Sequence, residues 1–307
     1  MIVNPTSGGG ATSRRWTAIE AKLRAAIGDL DVEHTRGPRD AERIAREGAR
    51  AGADLLIAAG GDGTASEVVA GVLGAGLGAK TDVGFLPLGT GGDLVRILGG
   101  DPSAGAPLDT TIARIAGGKT HAFDAGSATF TTTDGRSRTT HFVNIASIGL
   151  SGLVTKLVNE APKVLGGRVS FLLGTLRGIA RWRAGAVSLR VDGKLVHEGA
   201  LHLAVVANGR YFGGGMHVAP QARFDDGLFD VVVIRGEGGK GRLLRHLPKL
   251  YAGAHLTLPD VVSTRGRVVE ATSAEDVPIE IDGEPLGYLG ARFECLPGAL
   301  RLRGLDA

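Results

Sequence analysis

The strongest constraint on the fold lies in the first 124 residues, where short apolar runs alternate with helical patterns and three runs end in glycine-rich turns. MIVN reads as a strand. A helical pattern follows over residues 14–27, with Trp16, Ile19, Leu23, Ala26 and Ile27 on one face. The alternation continues through DVEHT, a helix over residues 39–51, the strand DLLIAAG, the helix SEVVAGVL, the strand VGFLPL and the helix GDLVRIL. Parallel strands need long crossovers, usually helices, and produce this rhythm. The prediction is a doubly wound α/β domain.

In such a sheet, ligands sit beyond the carboxyl ends of the strands. Three turns fall there: Asn4-Pro5-Thr6-Ser7-Gly8-Gly9-Gly10, Gly60-Gly61-Asp62-Gly63-Thr64 and Gly89-Thr90-Gly91-Gly92-Asp93. Glycine lets backbone amides approach a phosphate and permits positive φ. Thr64 with Glu67, and Thr90 with Asp93, have the spacing of a capping box, so each turn is expected to open a helix whose N-terminal amides suit an anion. One such turn alone reads as tidy strand-to-helix punctuation; three in register point to phosphate. Glycine is abundant everywhere, 50 residues, so only positions with a mechanism carry weight.

Asp62 breaks the pattern, because a carboxylate among phosphate-binding amides repels phosphate unless a cation lies between them. Mg²⁺ is commonly held by one or two carboxylates plus substrate phosphates. That reading predicts ATP-type chemistry, phosphoryl transfer from a nucleoside triphosphate. The alternative is that Asp62 is a simple turn residue.

Beyond Phe123 the texture changes to β-branched, alternating stretches: ATFTTT, HFVNIAS, AVSLRVDG, LHLAVVANG, LFDVVVIRG, RVVEAT, VPIEIDG and ARFECLPG. Many strands separated by turn residues indicate a mostly antiparallel second domain. Helical patterns interrupt it at residues 151–183 and 239–252. The expected division is an α/β domain over 1–124, completed by 298–307, and a β domain over 125–297.

Lys plus Arg number 35 against 32 Asp plus Glu, and the net charge of +3 gives no argument for nucleic acid. No apolar run approaches the roughly 18 residues of a membrane span. MIVNPTSGGG has neither a basic nor an apolar leader region, so no signal peptide is expected. One cysteine, Cys295, excludes an internal disulfide and fits a reducing cytoplasm.

NPTSGGG, GGDGTASEVVAG and PLGTGGDLVRIL together resemble the three nucleotide-site motifs of the diacylglycerol kinase catalytic-domain family, which includes bacterial diacylglycerol kinases and sphingosine and ceramide kinases. FVNIASIGL, VVANGRYFGGGMHVAPQARFDDGLFDVVVI and IEIDGEPL extend the resemblance over essentially the whole chain. GGDG alone is weak, being shared with NAD kinases and phosphofructokinases. The resemblance implies an N-terminal α/β domain, a C-terminal β-sandwich and an active site in the cleft between them. It implies an ATP site lined by Asn4, Pro5, Thr6, Ser7, Gly8, Thr35, the stretch Gly61, Asp62, Gly63, Thr64, Ala65, Ser66, Glu67, and Thr90, with Asp62 acting through Mg²⁺. It places Asp282 and Glu284 near a lipid hydroxyl, either one able to accept the proton. A second, structural Mg²⁺ site would use the Asp226 carboxylate with the backbone carbonyls of Arg223 and Leu228. Two departures stand out: Gly92 replaces the usual asparagine of the third motif, and the chain starts three residues before Asn4, so fraying of the first strand is expected.

The expected activity is an ATP- and Mg²⁺-dependent lipid kinase, cytoplasmic and peripheral to the inner face of the membrane, with diacylglycerol the first substrate and a dimer the common prior. An NAD kinase, or a binding protein that has lost turnover, are the alternatives. Residues 163–183 place Leu172, Leu173, Leu176 and Ile179 near Arg177, Arg181 and Arg183. They read either as a basic amphipathic helix resting on anionic lipid or as a core-facing helix with a solvated basic side. AGGKT at 116–120 resembles a phosphate loop but lacks its first glycine, because position 113 is Ala. His197 and His202 miss metalloprotease spacing, and Trp16, Trp182 and Cys295 read as packing residues.

Overall fold

The protein was analysed as a computed structural model, which describes residues 1–89, 92–97, 108–160, 167–237 and 239–304. The chain divides into two compact units, residues 1–124 with 298–307, and residues 125–297.

In the first unit, strands β1 (Ile2–Val3), β2 (Glu33–His34), β3 (Leu55–Gly60) and β4 (Asp82–Pro87) run parallel in the order β4-β3-β1-β2. They are connected by α1 (Ala11–Ile27), α2 (Asp40–Arg50) and α3 (Asp62–Gly74), with α4 (Asp93–Ile97) and α5 (Leu108–Ala116) following. α1 buries Thr12, Trp16, Ile19 and Leu23, a stripe of helical spacing. Ala26, placed on that stripe by the sequence pattern, is exposed. β1 has only two residues yet pairs on both edges, so the fraying expected there is not what the structure shows. The end of the chain returns as a further parallel strand beside β4, Arg301 opposite Asp82 and Arg303 opposite Gly84. Both guanidiniums converge on the buried Asp82 carboxylate, at 2.7 and 3.1 Å. Asp124 marks where the chain leaves this unit, and its Oδ1 accepts the N–H of Gly298, where the chain re-enters, at 2.7 Å.

The second unit is antiparallel. It comprises β5 (Thr120–Thr131, entering from the first unit), β6 (Ser137–Phe142), β7 (Ile145–Gly149), β8 (Gly185–Val191), β9 (Lys194–Ala207), β10 (Phe229–Arg235), β11 (Val261–Gly266), β12 (Val268–Thr272), β13 (Pro278–Ile281) and β14 (Glu284–Arg303). The sandwich is stitched by two long strands that each serve two neighbourhoods. β9 pairs with β8 up to Leu201 and with β7 from Leu203 onward; β14 pairs first with β13 and then with β12. Between the layers, Phe142 stacks on Phe229 at 5.6 Å and meets Phe293 edge-on at 6.4 Å. HFVNIAS, which reads as one strand, is two: β6 ends at Phe142 and β7 starts at Ile145. The helical stretch at 151–183 is likewise two helices, α6 (Leu150–Glu160) and α7 (Gly167–Arg181); α8 (Gly239–Ala252) completes the set. None of the described helices is long and apolar enough to cross a membrane.

Two expected outcomes test this packing. In α3, a Cβ at Gly71 would overlap the Glu42 carbonyl of α2 and come within 2.8 Å of the Ala45 Cβ. Glycine inside a helix ordinarily costs about 0.5–1 kcal/mol relative to alanine, so Gly71→Ala at an unpacked site would stabilise. Here overpacking reverses the sign, and urea unfolding should show a loss of about 1–3 kcal/mol. Second, burial lowers the pKa of His197, His202, His217, His246 and His255 below the ordinary imidazole value of 6.5. These rings stay neutral when folded and protonate when exposed, so their contribution is fully present above pH 6.5 and is lost as pH falls below it. As pH falls from 7.5 to 5.5, a His202→Asn/His246→Asn variant should lose less unfolding free energy than the parent chain; equal pH slopes would contradict neutral burial.

Candidate active site

Within the first unit the three glycine turns form one cluster. Asn4 closes β1 with its N–H on the Ala59 carbonyl, 2.9 Å. Its Nδ2 donates to Thr64 Oγ1 at 3.0 Å, while its Oδ1 accepts from the N–H and hydroxyl of Thr6 at 3.1 and 2.8 Å. One side chain therefore holds the first turn to the second. The chain past Pro5 and Ser7 then runs through three successive left-handed glycines, Gly8, Gly9 and Gly10, with φ of 60°, 64° and 80°. A Cβ on Gly8 would press on the Leu88 carbonyl oxygen. A Cβ on Gly89 would lie 2.5 Å from the Gly61 Cα, so the second and third turns meet backbone to backbone. Thr35 is tied to the same sheet end through its N–H on the Val3 carbonyl, 2.8 Å.

Asp62 is the first residue of α3, and its Oδ2 accepts the N–H groups of Gly92 at 2.9 Å and Asp93 at 3.1 Å. The carboxylate thus caps the start of α4. At position 92 it is the backbone amide that meets Asp62. Gly63 is exposed, with nothing within 4 Å of where a Cβ would stand. Helix geometry leaves the first-turn amides of α3 without intrahelical acceptors, and Ala65 is where the ladder begins, its N–H on the Gly61 carbonyl at 3.1 Å. Ser66, next along α3, is half-buried and engaged by a neighbour.

The capping box expected of Thr64 and Glu67 does not form. The helix starts earlier than its spacing assumes, with Gly61 at the N-cap and no side-chain cap bond. Thr64 is buried inside the first turn with its hydroxyl on Asn4. Glu67 instead reaches the neighbouring helix, accepting the N–H of Arg39 at 3.0 Å and of Ala41 at 3.1 Å. It supplies α2 with the cap that Arg39, itself left-handed at φ 64°, does not. Burial pushes the Glu67 pKa up, opposed by those backbone N–H bonds. Thr90, and with it the second capping box, lies outside the described residues.

In the second unit, residues 282–283 form the two-residue turn of the β13–β14 hairpin, Ile281 facing Glu284. Both have positive φ, 47° for Asp282 and 88° for Gly283, the conformation that favours Asp-Gly in such hairpins. The Asp282 carboxylate accepts three backbone N–H bonds: Oδ1 from Asn144 (3.1 Å) and Ile145 (2.9 Å), Oδ2 from Val143 (3.0 Å). It fills the gap between β6 and β7. The asparagines of the two long motifs brace the same corner. Asn208, fully buried, donates to the Val143 carbonyl at 2.8 Å, and Asn144 donates to the Tyr211 carbonyl at 3.0 Å. Glu284, just past the turn, is exposed. Of the pair, Asp282 is committed to the backbone and Glu284 is the carboxylate presented outward.

Sequence reasoning missed Glu280. It is fully enclosed below the turn, accepting from Ser147 Oγ and from the N–H of Gly283, both at 2.5 Å. Burial raises its pKa to about 7, with the Ser147 and Gly283 bonds pulling down and the charges of Asp282 and Glu284 adding to the rise. The signal for it was a carboxylate in the middle of VPIEIDG, where a strand buried on both faces has no room for a free charge.

Asp226 is held by its own loop and by an arginine. Its Oδ1 accepts the N–H of Leu228 at 3.2 Å, and its Oδ2 pairs with Arg265, which also reaches Asp230 at 3.2 Å. Arg223 pairs with Asp225. The guanidinium of Arg265 already neutralises Asp226, so this donor set does not fit a structural Mg²⁺ unless Arg265 withdraws, and no function is assigned to a cation here. No group of three or more potential metal ligands occurs among the described residues.

Residues 1–128 match the diacylglycerol kinase catalytic domain, and residues 144–304 match the YegS C-terminal NAD kinase beta sandwich-like domain. A Pseudomonas aeruginosa protein named "Probable lipid kinase YegS-like" is 34% identical, over 93% of this chain and 88% of that protein. A Bacillus subtilis protein named "Diacylglycerol kinase" is 29% identical, over 95% of this chain and 91% of that protein. The fold is shared with a crystal structure of a diacylglycerol kinase from Bacillus anthracis str. Sterne, with a TM-score of 0.72 at 24% identity, covering 99% of this chain and 95% of that one.

The position of Glu280 makes a signed prediction. A carboxyl whose folded pKa is raised stabilises fully below its unfolded value of 4.5 and loses that contribution as pH rises toward about 7. Glu280→Gln keeps the shape and removes the titration, so its stability relative to the parent chain should improve steadily between those pH values in guanidinium unfolding. Glu280→Ala, which strands Ser147 and Gly283, should cost about 1–3 kcal/mol at pH 5.

Proposed function

The chain belongs to the lipid kinase family of YegS-like and diacylglycerol kinases, and from that premise we propose that it transfers the γ-phosphate of ATP to a hydroxyl of a membrane lipid, diacylglycerol first. The observation that carries the reading is Asp62: a carboxylate fixed at the first residue of α3 by two amides of the third turn, next to the open position at Gly63. Backbone N–H groups at a helix N-terminus receive phosphate, and no lysine is needed in the turn. The fit to Mg²⁺ rests on chemistry of the donor: a hard carboxylate oxygen at a phosphate site is what this ion takes, and it needs no cage of three protein ligands. When bound, Mg²⁺ would neutralise charge on the phosphates that flank the transferring bond.

On the acceptor side, Glu284 takes the proton of the lipid hydroxyl. Asp282 is a positioning residue, its oxygens occupied by the amides of 143–145. A carboxylate suffices as base because the phosphoryl transition state is loose and the proton leaves late. Positioning supplies most of the remaining acceleration. Cys295, buried and the single cysteine of the chain, forms no internal disulfide and suits a reducing compartment, and we place the reaction at the inner face of the membrane.

The test is phosphorylation of lipids in mixed micelles with labelled ATP and Mg²⁺, run with diacylglycerol, sphingoid base, ceramide and phosphatidylglycerol, and with NAD alongside. Asp62→Asn and Glu284→Gln should each lower kcat by about 10²–10⁴-fold, the range for lost charge stabilisation or general-base help. Their melting temperatures should match the parent within a few degrees. Asp282→Asn should instead destabilise by about 1–3 kcal/mol, because one of its oxygens becomes a donor facing a donor. Absence of lipid phosphorylation across all four classes, or transfer to NAD alone, would overturn the reading.

A further inference from the structure

Helices α7 and α8 of the second unit each present large apolar side chains to the outside. The inward face of α7 is Gly174, Thr175, Gly178 and Ile179. A Cβ on Gly174 would overlap Val158, and one on Gly178 would come within 2.5 Å of Val154, both of α6. α7 therefore packs on its neighbour through glycine and has no need of its leucines for the core. Those leucines, with Arg177 and Arg181, fill the opposite face: Leu172, Leu173 and Leu176 are 48%, 39% and 42% exposed. The spacing 172, 173, 176, 177, 180, 181 is one continuous stripe of a helix.

α8 repeats the arrangement. Leu243, His246 and Leu250 are buried, and Lys240, Leu244, Arg245, Lys249 and Tyr251 are exposed. The two helices are joined where Lys240 Nζ donates to the Ala180 carbonyl at 2.5 Å, so their outer faces are neighbours. Six large apolar side chains are exposed among the described residues, and all but Leu195 belong to this pair of helices.

Charge sorts the same way. α7 and α8 together carry seven Lys and Arg and no Asp or Glu. Setting those seven aside from 35 leaves 28 Lys and Arg against 32 Asp and Glu, so the remainder of a chain of net charge +3 is net acidic. Arg242 pairs with Asp260 at 3.5 Å; exposed leucine and tyrosine framed by the other basic residues match the chemistry of one surface: acyl chains beneath anionic headgroups. A protein partner would need acidic and apolar groups in register, whereas a bilayer supplies both without register.

We propose that the outward face of α7 and α8 docks the protein on an anionic lipid bilayer. This rests on the reading of the substrate as a membrane lipid, and it names the surface that brings the chain to it. Leucines enter the headgroup boundary, and Arg177, Arg181, Arg245 and Lys249 lie at headgroup level.

The test is flotation of the full chain with vesicles of phosphatidylcholine alone or with added phosphatidylglycerol, at low and high salt. Binding should require phosphatidylglycerol and weaken as salt rises. Leu172→Ser/Leu173→Ser/Leu176→Ser should reduce partition at least tenfold and leave phosphorylation of a short-chain, water-dispersed diacylglycerol unchanged. Arg177→Glu/Arg245→Glu should do the same and flatten the salt dependence. Parent chain that ignores anionic vesicles, or serine variants that bind them as the parent does, would overturn the proposal. So would serine variants that bind vesicles normally but shift from dimer to monomer in sedimentation, since the face would then join two copies. If vesicle binding follows expectation while no short-chain lipid is phosphorylated by any variant, the docking surface stands and the substrate reading falls.

Discussion

The cluster of glycine turns in the first unit depends on a bridge between them. Gly61 and Gly89 bring two strand ends into backbone contact, and the Asp62 carboxylate then ties the second turn to the third through the amides of Gly92 and Asp93. Asn4 ties in the first turn through Thr64. Without these links the three loops would be independent excursions from a parallel sheet, each free to move in ways a rigid strand end is not. With them, the amides of three turns become one surface. A charge-assisted bond from a carboxylate to backbone N–H is roughly twice as strong as a neutral one, so Asp62 is well suited to hold the site together whatever else it binds. The same residue serves both as structure and as the proposed charge partner of the phosphates, and its two roles use the same geometry.

Three carboxylates within five residues of the β13–β14 hairpin have three different chemistries. Glu280 is enclosed and has its pKa raised to about 7, Asp282 accepts hydrogen bonds from a run of backbone N–H groups, and Glu284 is exposed. Environment separates them, since residue type does not. Turn conformation explains part of the pattern: a two-residue turn with both φ positive accepts Asp-Gly readily. The Asp282 carboxylate then has a geometric reason to exist that owes nothing to turnover.

Much of this was legible in the sequence, for physical reasons that differ from element to element. Alternation of apolar runs and helical stripes located β3, β4, α1, α2 and α3, because burial of one helix face forces a period. The texture change after Phe123 located the antiparallel unit, because one-sided strands alternate. What escaped reading depends on contacts distant in the chain. Glu67 has the spacing of a local cap, yet the N–H groups that donate to it lie 26 and 28 residues away, at Ala41 and Arg39. Asp282 resembles a base, yet it is occupied by a segment some 137 to 139 residues earlier. Arg265 neutralises Asp226 from 39 positions downstream. Spacing along a chain reports only on neighbours within a turn or two, and each of these partners is supplied by the sheet.

Residues 163–183 show the converse case, in which the sequence posed a question that a single geometric fact decides. A helix with leucines and arginines can turn either set inward, and its hydrophobic pattern is the same in both orientations. The glycines choose. Gly174 and Gly178 are four apart, and helix pairs approach most closely where side chains are smallest, so the Gly174–Gly178 stripe is the face that α6 occupies. The leucines are left outside by elimination, at a cost in exposed apolar area that a water-soluble surface would ordinarily avoid. Net charge conceals this, because +3 is the sum of a basic pair of helices and an acidic remainder. Long-range attraction to an anionic surface follows local charge, screened beyond about 10 Å at 0.1 M salt, and not the molecular total. A face that gathers five of the six large exposed apolar side chains among the described residues beside a run of Lys and Arg is therefore the one suited to the proposed contact with a bilayer.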